Sequence, residues 1–76
     1  MIYPYKIENK DDLIKLSELA SKEDFPIYIS TLYGMLDARS VLALFTLLGK
    51  EINLVAPDHA SGEEFVQFIE KLNNSK

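Results

Sequence analysis

Apolar residues in this chain switch repeatedly between a period of two and a period of 3.6, and nearly every switch carries a proline, a glycine or a helix cap. Residues 2–7 alternate, with Tyr3, Tyr5 and Ile7 on one face, which predicts a strand. Pro4 lies inside it and cannot donate to a ladder, so the strand belongs at a sheet edge or begins late. Asn9 is a good N-cap, with Asp11 and Asp12 in the first turn, where the helix dipole favours acid. Leu13, Leu16 and Ala20 then recur at helical spacing, Ile14 and Leu19 widen the stripe, and the helix should end near Lys22. Pro26 opens a second strand, with Ile27 and Ile29 facing one way and Tyr28 and Ser30 the other. Gly34 marks a turn or bulge, and residues 33–36 read as a short third strand.

Asp37 is the next N-cap candidate. From 41 to 48 the following helix is apolar nearly all round, and Gly49 reads as the residue just past its end. Such a helix is either buried or used for binding. A chain of 76 residues makes one domain (1–76) and can hardly bury a surface-layer helix completely, so part of this run should face solvent or a partner. Leu44, Leu47 and Leu48 are spaced as core members; Val41, Leu42 and Phe45 are the interaction candidates. Residues 51–56 give a fourth strand, with Ile52, Leu54 and Ala56 on one face, stopped by Pro57. Ser61 and Glu64 form a capping box, and Phe65, Phe68, Ile69 and Leu72 follow at amphipathic-helix spacing. The order β-α-β-β-α-β-α implies an α+β fold: a two-layer, open-faced sandwich with helices on one face of an antiparallel sheet.

Several function classes are disfavoured. There is no cysteine, which removes disulfides and thiolate metal sites, and the first residues do not read as a signal peptide. The longest apolar stretch is far too short to span a membrane. A cytoplasmic location is the default expectation. The net charge is −4, with eight Lys and Arg spread along the chain, so the main driving term for nucleic-acid binding is missing. No phosphate-binding loop or dinucleotide fingerprint occurs. The acid pairs Asp11–Asp12 and Glu63–Glu64 sit at helix starts, where they complement the dipole without any acid–base role. No catalytic residue, cofactor or metal site is expected.

The stretch Leu36-Asp37-Ala38-Arg39-Ser40-Val41-Leu42-Ala43-Leu44, running on to Leu47-Leu48-Gly49, resembles the second-helix region of HPr. HPr is the phosphocarrier of the bacterial sugar phosphotransferase system. Its family typically shows a small residue, a basic residue, a serine and an apolar run here. The element order agrees over almost the whole chain, as do the phenylalanine-rich closing helix and an edge position for the first strand. The resemblance implies a four-stranded antiparallel sheet in the order β1-β4-β2-β3, covered on one face by three helices. A ferredoxin-like split βαβ sandwich shares most of this element order and is the alternative.

The departures are as informative. The family places its phosphoacceptor in a Gly-x-His-x-Arg-Pro motif at the start of the first helix. Here the region reads Ile7-Glu8-Asn9-Lys10-Asp11-Asp12. Asn9 falls at or near the histidine slot and Asp11 near the arginine slot. An amide is no nucleophile for phosphoryl transfer, and two aspartates would repel an incoming phosphoryl group. The resemblance therefore implies a relative without histidine phosphocarrier activity.

His59, the only histidine, follows the fourth strand. In the HPr order it lies at the pole opposite the first helix's start, so it cannot replace the acceptor, and beside Asp58 alone it makes a poor metal site. Ser40 occupies the slot of the serine that some bacteria phosphorylate as a regulatory mark. With Asp37 as N-cap, Ser40 would be third in the helix, where a phosphate adding about −1.5 to −2 charge beside Arg39 would meet the dipole's positive end. A serine at a helix start is common, and the simpler reading is an ordinary helix-start residue. Tyr3, Tyr5, Tyr28 and Tyr33 would make a second aromatic surface if the open sheet face were uncovered. The expectation is a regulatory or protein-interaction domain with a protein partner on Arg39, Val41, Leu42 and Phe45. The alternatives are phosphoryl transfer through a non-standard residue and a structural oligomerisation module.

Overall fold

The computed structural model describes residues 1–74. Seven elements follow in the expected order: β1 (Ile2–Lys6), α1 (Lys10–Ser21), β2 (Tyr28–Thr31), β3 (Gly34–Asp37), α2 (Val41–Phe45), β4 (Glu51–Val55) and α3 (Gly62–Asn74). The four strands form one antiparallel sheet in the order β1-β4-β2-β3.

Register explains which residues face the helices. Tyr3, Leu54, Ile29 and Leu36 make one cross-strand row, and Tyr5 pairs with Ile52 beside it. These inward residues join Leu13, Leu16 and Ala20 of α1, Leu44 of α2 and Phe65, Phe68, Ile69 and Leu72 of α3 in or against a single core. A fully buried side chain such as Phe68 contributes roughly 1.5–3 kcal/mol. The opposite face carries the rows Ile2–Val55–Tyr28–Asp37 and Pro4–Asn53–Ser30–Met35. Tyr3 and Tyr5 therefore belong to the helix-covered side. Only Tyr28 lies in the open-face rows, because strand alternation separates the tyrosines. The expected four-tyrosine surface does not form.

β1 is an edge strand, as Pro4 requires. Met1 and Ala56 exchange backbone bonds (Ala56 N–H to Met1 C=O, 3.0 Å; Met1 ammonium to Ala56 C=O, 3.3 Å), and Ile7 N–H donates to Lys50 C=O. Bonded positions are thus odd-numbered, and the Pro4 nitrogen points away from β4, where no donor is needed.

The region around α2 departs from expectation. β3 extends through Asp37, one residue beyond its expected end, and the N-cap of α2 is Ser40, whose Oγ accepts from Ala43 N–H at 3.3 Å. Asp37 instead turns its carboxylate onto Arg39. The helix also stops at Phe45 rather than near Leu48. Thr46 Oγ1 donates to Ala43 C=O at 2.7 Å, and Thr46, Leu47 and Leu48 N–H groups bond three residues back instead of four. Back-bonding by Thr46 thus accompanies a tightening of the last turn. The chain then reverses at Gly49 (φ 79°), whose N–H donates to Ile7 C=O at 2.6 Å. Leu44 and Leu47 are buried as expected, but Leu48, carried past the helix end by this turn, is exposed.

Candidate functional site

Two regions come from the sequence, the first turn of α1 and the face of α2. At the first, Asn9 caps α1: its Oδ1 accepts from Asp12 N–H at 2.9 Å, and Asp12 Oδ2 accepts from Glu8 N–H at 3.1 Å. Two backbone donors at the helix start are thus satisfied by side chains, and Asp12 is buried in doing so. Lys10 and Asp11 project outward. Tyr5 lies under this turn. Burial, with help from the Asp12 carboxylate and then Glu8, pushes its phenol up to about 12, so it stays neutral in the physiological range.

His59 is not in this turn. β1 runs from Ile2, paired with Val55, to Lys6, paired with Glu51. The start of α1 follows the Lys6 end and His59 follows the Val55 end, separated along the strand by roughly 13 Å. His59 is exposed in the connection before α3, and no group of acidic, histidine or cysteine residues suited to a metal ion occurs among the described residues.

At α2, Leu44 points into the core while Val41, Leu42 and Phe45 stand outside it, Leu42 being 83% exposed. They lie on adjacent positions of one helical surface. Arg39 and Ser40 stand at its start. The Arg39 guanidinium grips the Asp37 carboxylate with two donors, Nη2 to Oδ2 at 2.7 Å and Nε to Oδ1 at 3.0 Å. Arg39 N–H adds a bond to Oδ1 at 2.9 Å. These hydrogen bonds, the side-chain ones foremost, hold the Asp37 carboxyl below the usual carboxylate range. Ser17 Oγ of α1 donates to Arg39 C=O at 2.9 Å, which fixes where α2 begins on α1. Ile14, one turn earlier on α1, is also partly exposed. The geometry offers a fixed apolar surface with an ion pair and a hydroxyl at one end. It assembles no nucleophile with a base.

Solved structures share this fold. A crystal structure of HPr-C-His from Thermoanaerobacter tengcongensis matches with a TM-score of 0.70 at 17% identity, over 96% of this chain and 91% of that one. A phosphocarrier protein HPr from Bacillus anthracis matches with a TM-score of 0.66 at 16% identity, over 95% of this chain and 90% of that one. The chain has the HPr fold. No protein-family model and no curated protein matches the sequence. Within the HPr fold, Asn9 heads α1, Ser40 heads α2 and His59 lies at the far pole of the sheet. No helix among the described residues is long and apolar enough to cross a membrane.

Two exposed apolar features lie outside the surfaces expected from the sequence. Leu32 and Tyr33 form the tip of the β2–β3 hairpin, 97% and 94% exposed. The sequence pattern puts Tyr33 inside the third strand, whereas β3 begins at Gly34; the pair of large apolar residues directly before that glycine is the available signal. A groove of about 620 Å³ also runs between β1 and α3, walled by Met1, Ile2, Tyr3, Phe65, Val66 and Ile69. It joins residues from opposite ends of the chain, which no local pattern relates.

Proposed function

We propose that this HPr-fold domain docks a protein partner through the exposed face of α2, and that it carries no histidine phosphocarrier activity. The observation behind the first part is the row Val41, Leu42 and Phe45, held outside the core by Leu44 and bordered by the Asp37–Arg39 pair. An apolar surface with a polar rim is the composition of a protein interface. The second part rests on the first turn of α1. Asn9 and Asp12 are committed there to capping, and the turn carries Asp11 where phosphoryl chemistry calls for positive charge.

Ser40 is the residue we assign to regulation by phosphorylation. Its hydroxyl is exposed, and a dianion beside Leu42 would oppose burial of that surface by a partner. We infer a partner from the machinery of sugar uptake or carbon control, on the likeness of the fold to phosphocarrier HPr proteins.

Incubation with enzyme I of the phosphotransferase system and phosphoenolpyruvate tests the first turn: no acid-labile phosphate is expected, and its appearance on any residue overturns the reading. A pull-down from the native host, wild type against Leu42→Asp, tests the face. The same partner retained equally by both proteins would sink the α2 assignment. For Ser40, an HPr-type kinase should label the wild type and leave Ser40→Ala unlabelled.

A further inference from the structure

A serine hydroxyl inside a helix commonly bonds the carbonyl one turn back. Ser21, in the last turn of α1, does so: its Oγ donates to Ser17 C=O at 2.7 Å. The Ser17 hydroxyl proton goes elsewhere. Ser17 Oγ leaves its own helix and donates to Arg39 C=O at 2.9 Å, 22 residues along the chain. Ser17 and Asp12 are the buried polar residues among those described, and Asp12 serves the start of its own helix. Ser17 alone of the two reaches across to another element.

The segment that Ser17 reaches has few other anchors. α2 is five residues long, and an isolated helix below about 12–15 residues is marginal in water. The N–H groups of Leu44, Thr46, Leu47 and Leu48 bond the carbonyls of Ser40, Ala43, Leu44 and Phe45, so they tie the segment to itself and not to the sheet. Leu44 and Leu47 are its buried side chains, while Val41, Leu42, Phe45 and Leu48 are exposed. Both flanks are firmer. Ala38 is buried, and its N–H donates to Ile27 C=O at 3.0 Å. The Arg39 side chain is held by Asp37. Gly49 N–H donates to Ile7 C=O, and open space lies where a side chain would be, which leaves room to pivot.

We propose that residues 40–48 open as a unit while the rest of the domain stays folded, and that the Ser17–Arg39 hydrogen bond is the latch that keeps them closed. Opening pivots at Arg39 and Gly49 and lifts Leu44 and Leu47 from the core. The ladders of the sheet and the helical bonds of α1 and α3 stay intact. Ser17 is thus a positioning residue for the α2 face, acting through Arg39. Where that face docks a partner, the closed fraction scales the apparent affinity. This consequence rests on the docking reading; the opening itself does not.

Native-state amide exchange of the full chain, read by NMR across low urea concentrations, tests the opening without any partner. Ile29 and Leu54, on the two central strands, report the whole domain. In the wild type the Leu44, Thr46 and Leu47 amides should exchange together, on the order of a hundredfold or more faster than those two. Their rates should also depend less on urea, because the opening exposes less surface than unfolding. Ser17→Ala removes a bond that the open segment lacks, so these three amides should exchange roughly five- to tenfold faster. Ser21→Ala removes a hydroxyl from the same helix, but its bond survives in the open state; the three amides should stay within about twofold of wild type. If Ser17→Ala fails to fold, Ser17→Cys reads the same latch with a weak thiol donor in place of the hydroxyl. Three results would each overturn the proposal: α2 amides with the protection and urea dependence of Ile29 and Leu54, α2 amides unmoved by loss of the Ser17 hydroxyl, or equal acceleration by Ser21→Ala.

Discussion

At the start of α1, Asn9 and Asp12 accept backbone bonds from Asp12 and Glu8, and this exchange sets what the position can do. Asn9→Ala removes one side of it and should lower unfolding stability by about 1 kcal/mol, read from a denaturant midpoint at unchanged slope. Asn9→His also removes the cap acceptor, and it leaves Asp11 and Asp12 in place. That variant should remain unlabelled by enzyme I and phosphoenolpyruvate, since an imidazole at the slot does not supply the missing positive charge. Tyr5, under the same turn, predicts an alkaline dependence. Its phenol is raised to about 12 by burial and the nearby Asp12 carboxylate, against 10.0 unperturbed. Below pH 10 the phenol is neutral in both states and its contribution is complete. Between about 10 and 12 the unfolded chain ionises first, so stability falls as pH rises. Midpoints measured across that window should fall less steeply for Tyr5→Phe than for the wild type.

The α2 element separates packing from display within five residues. Leu44→Ala opens a cavity in the core and should cost about 2–5 kcal/mol, whereas Leu42→Asp touches an exposed position and should change stability by less than about 0.5 kcal/mol. Thermal or denaturant unfolding of the two variants checks the contrast, and an equal loss in both would place Leu42 in the core. The order of elements, the edge position of β1 and the roles of Asn9 and Leu44 were legible because each is written in local spacing or in one residue's chemistry. The boundaries of α2 were not. Asp37 and Ser40 are both good caps, and the choice between them depends on where β3 stops pairing with β2. Leu48 has the spacing of a core residue only if the helix continues. Thr46 tightens the turn before it, and Gly49 donates its N–H across to Ile7, a long-range bond with no local signature. The tyrosines were grouped by type, and strand parity divides them. On the functional side, Val41, Leu42 and Phe45 were legible as surplus apolar residues, and the β1–α3 groove was not, because it requires Ile2 and Val66 to be brought together by tertiary packing.

At the scale of the molecule, a single covered sheet leaves two free edges, and free edges template association. The β3 edge is four residues long. The β1 edge is five, and its centre is Pro4, whose nitrogen faces outward. Proline there removes the donor that a foreign strand would use, while the ladder to β4 loses nothing because the odd-numbered positions carry its bonds. This placement makes a sharp expectation for Pro4→Val. Were the nitrogen inside the ladder, valine would add a hydrogen bond, a net gain of about 0.5–1.5 kcal/mol. With the nitrogen outside, the restored N–H meets only solvent, and stability should stay within about 0.5 kcal/mol of the wild type. The change should appear instead in association: a new outward donor between the carbonyls of Ile2 and Lys6 gives β1 an unbroken edge. Light scattering of concentrated Pro4→Val should rise with time where the wild type does not drift. A gain in unfolding stability for Pro4→Val would instead place the proline inside the ladder and remove it as the guard of that edge.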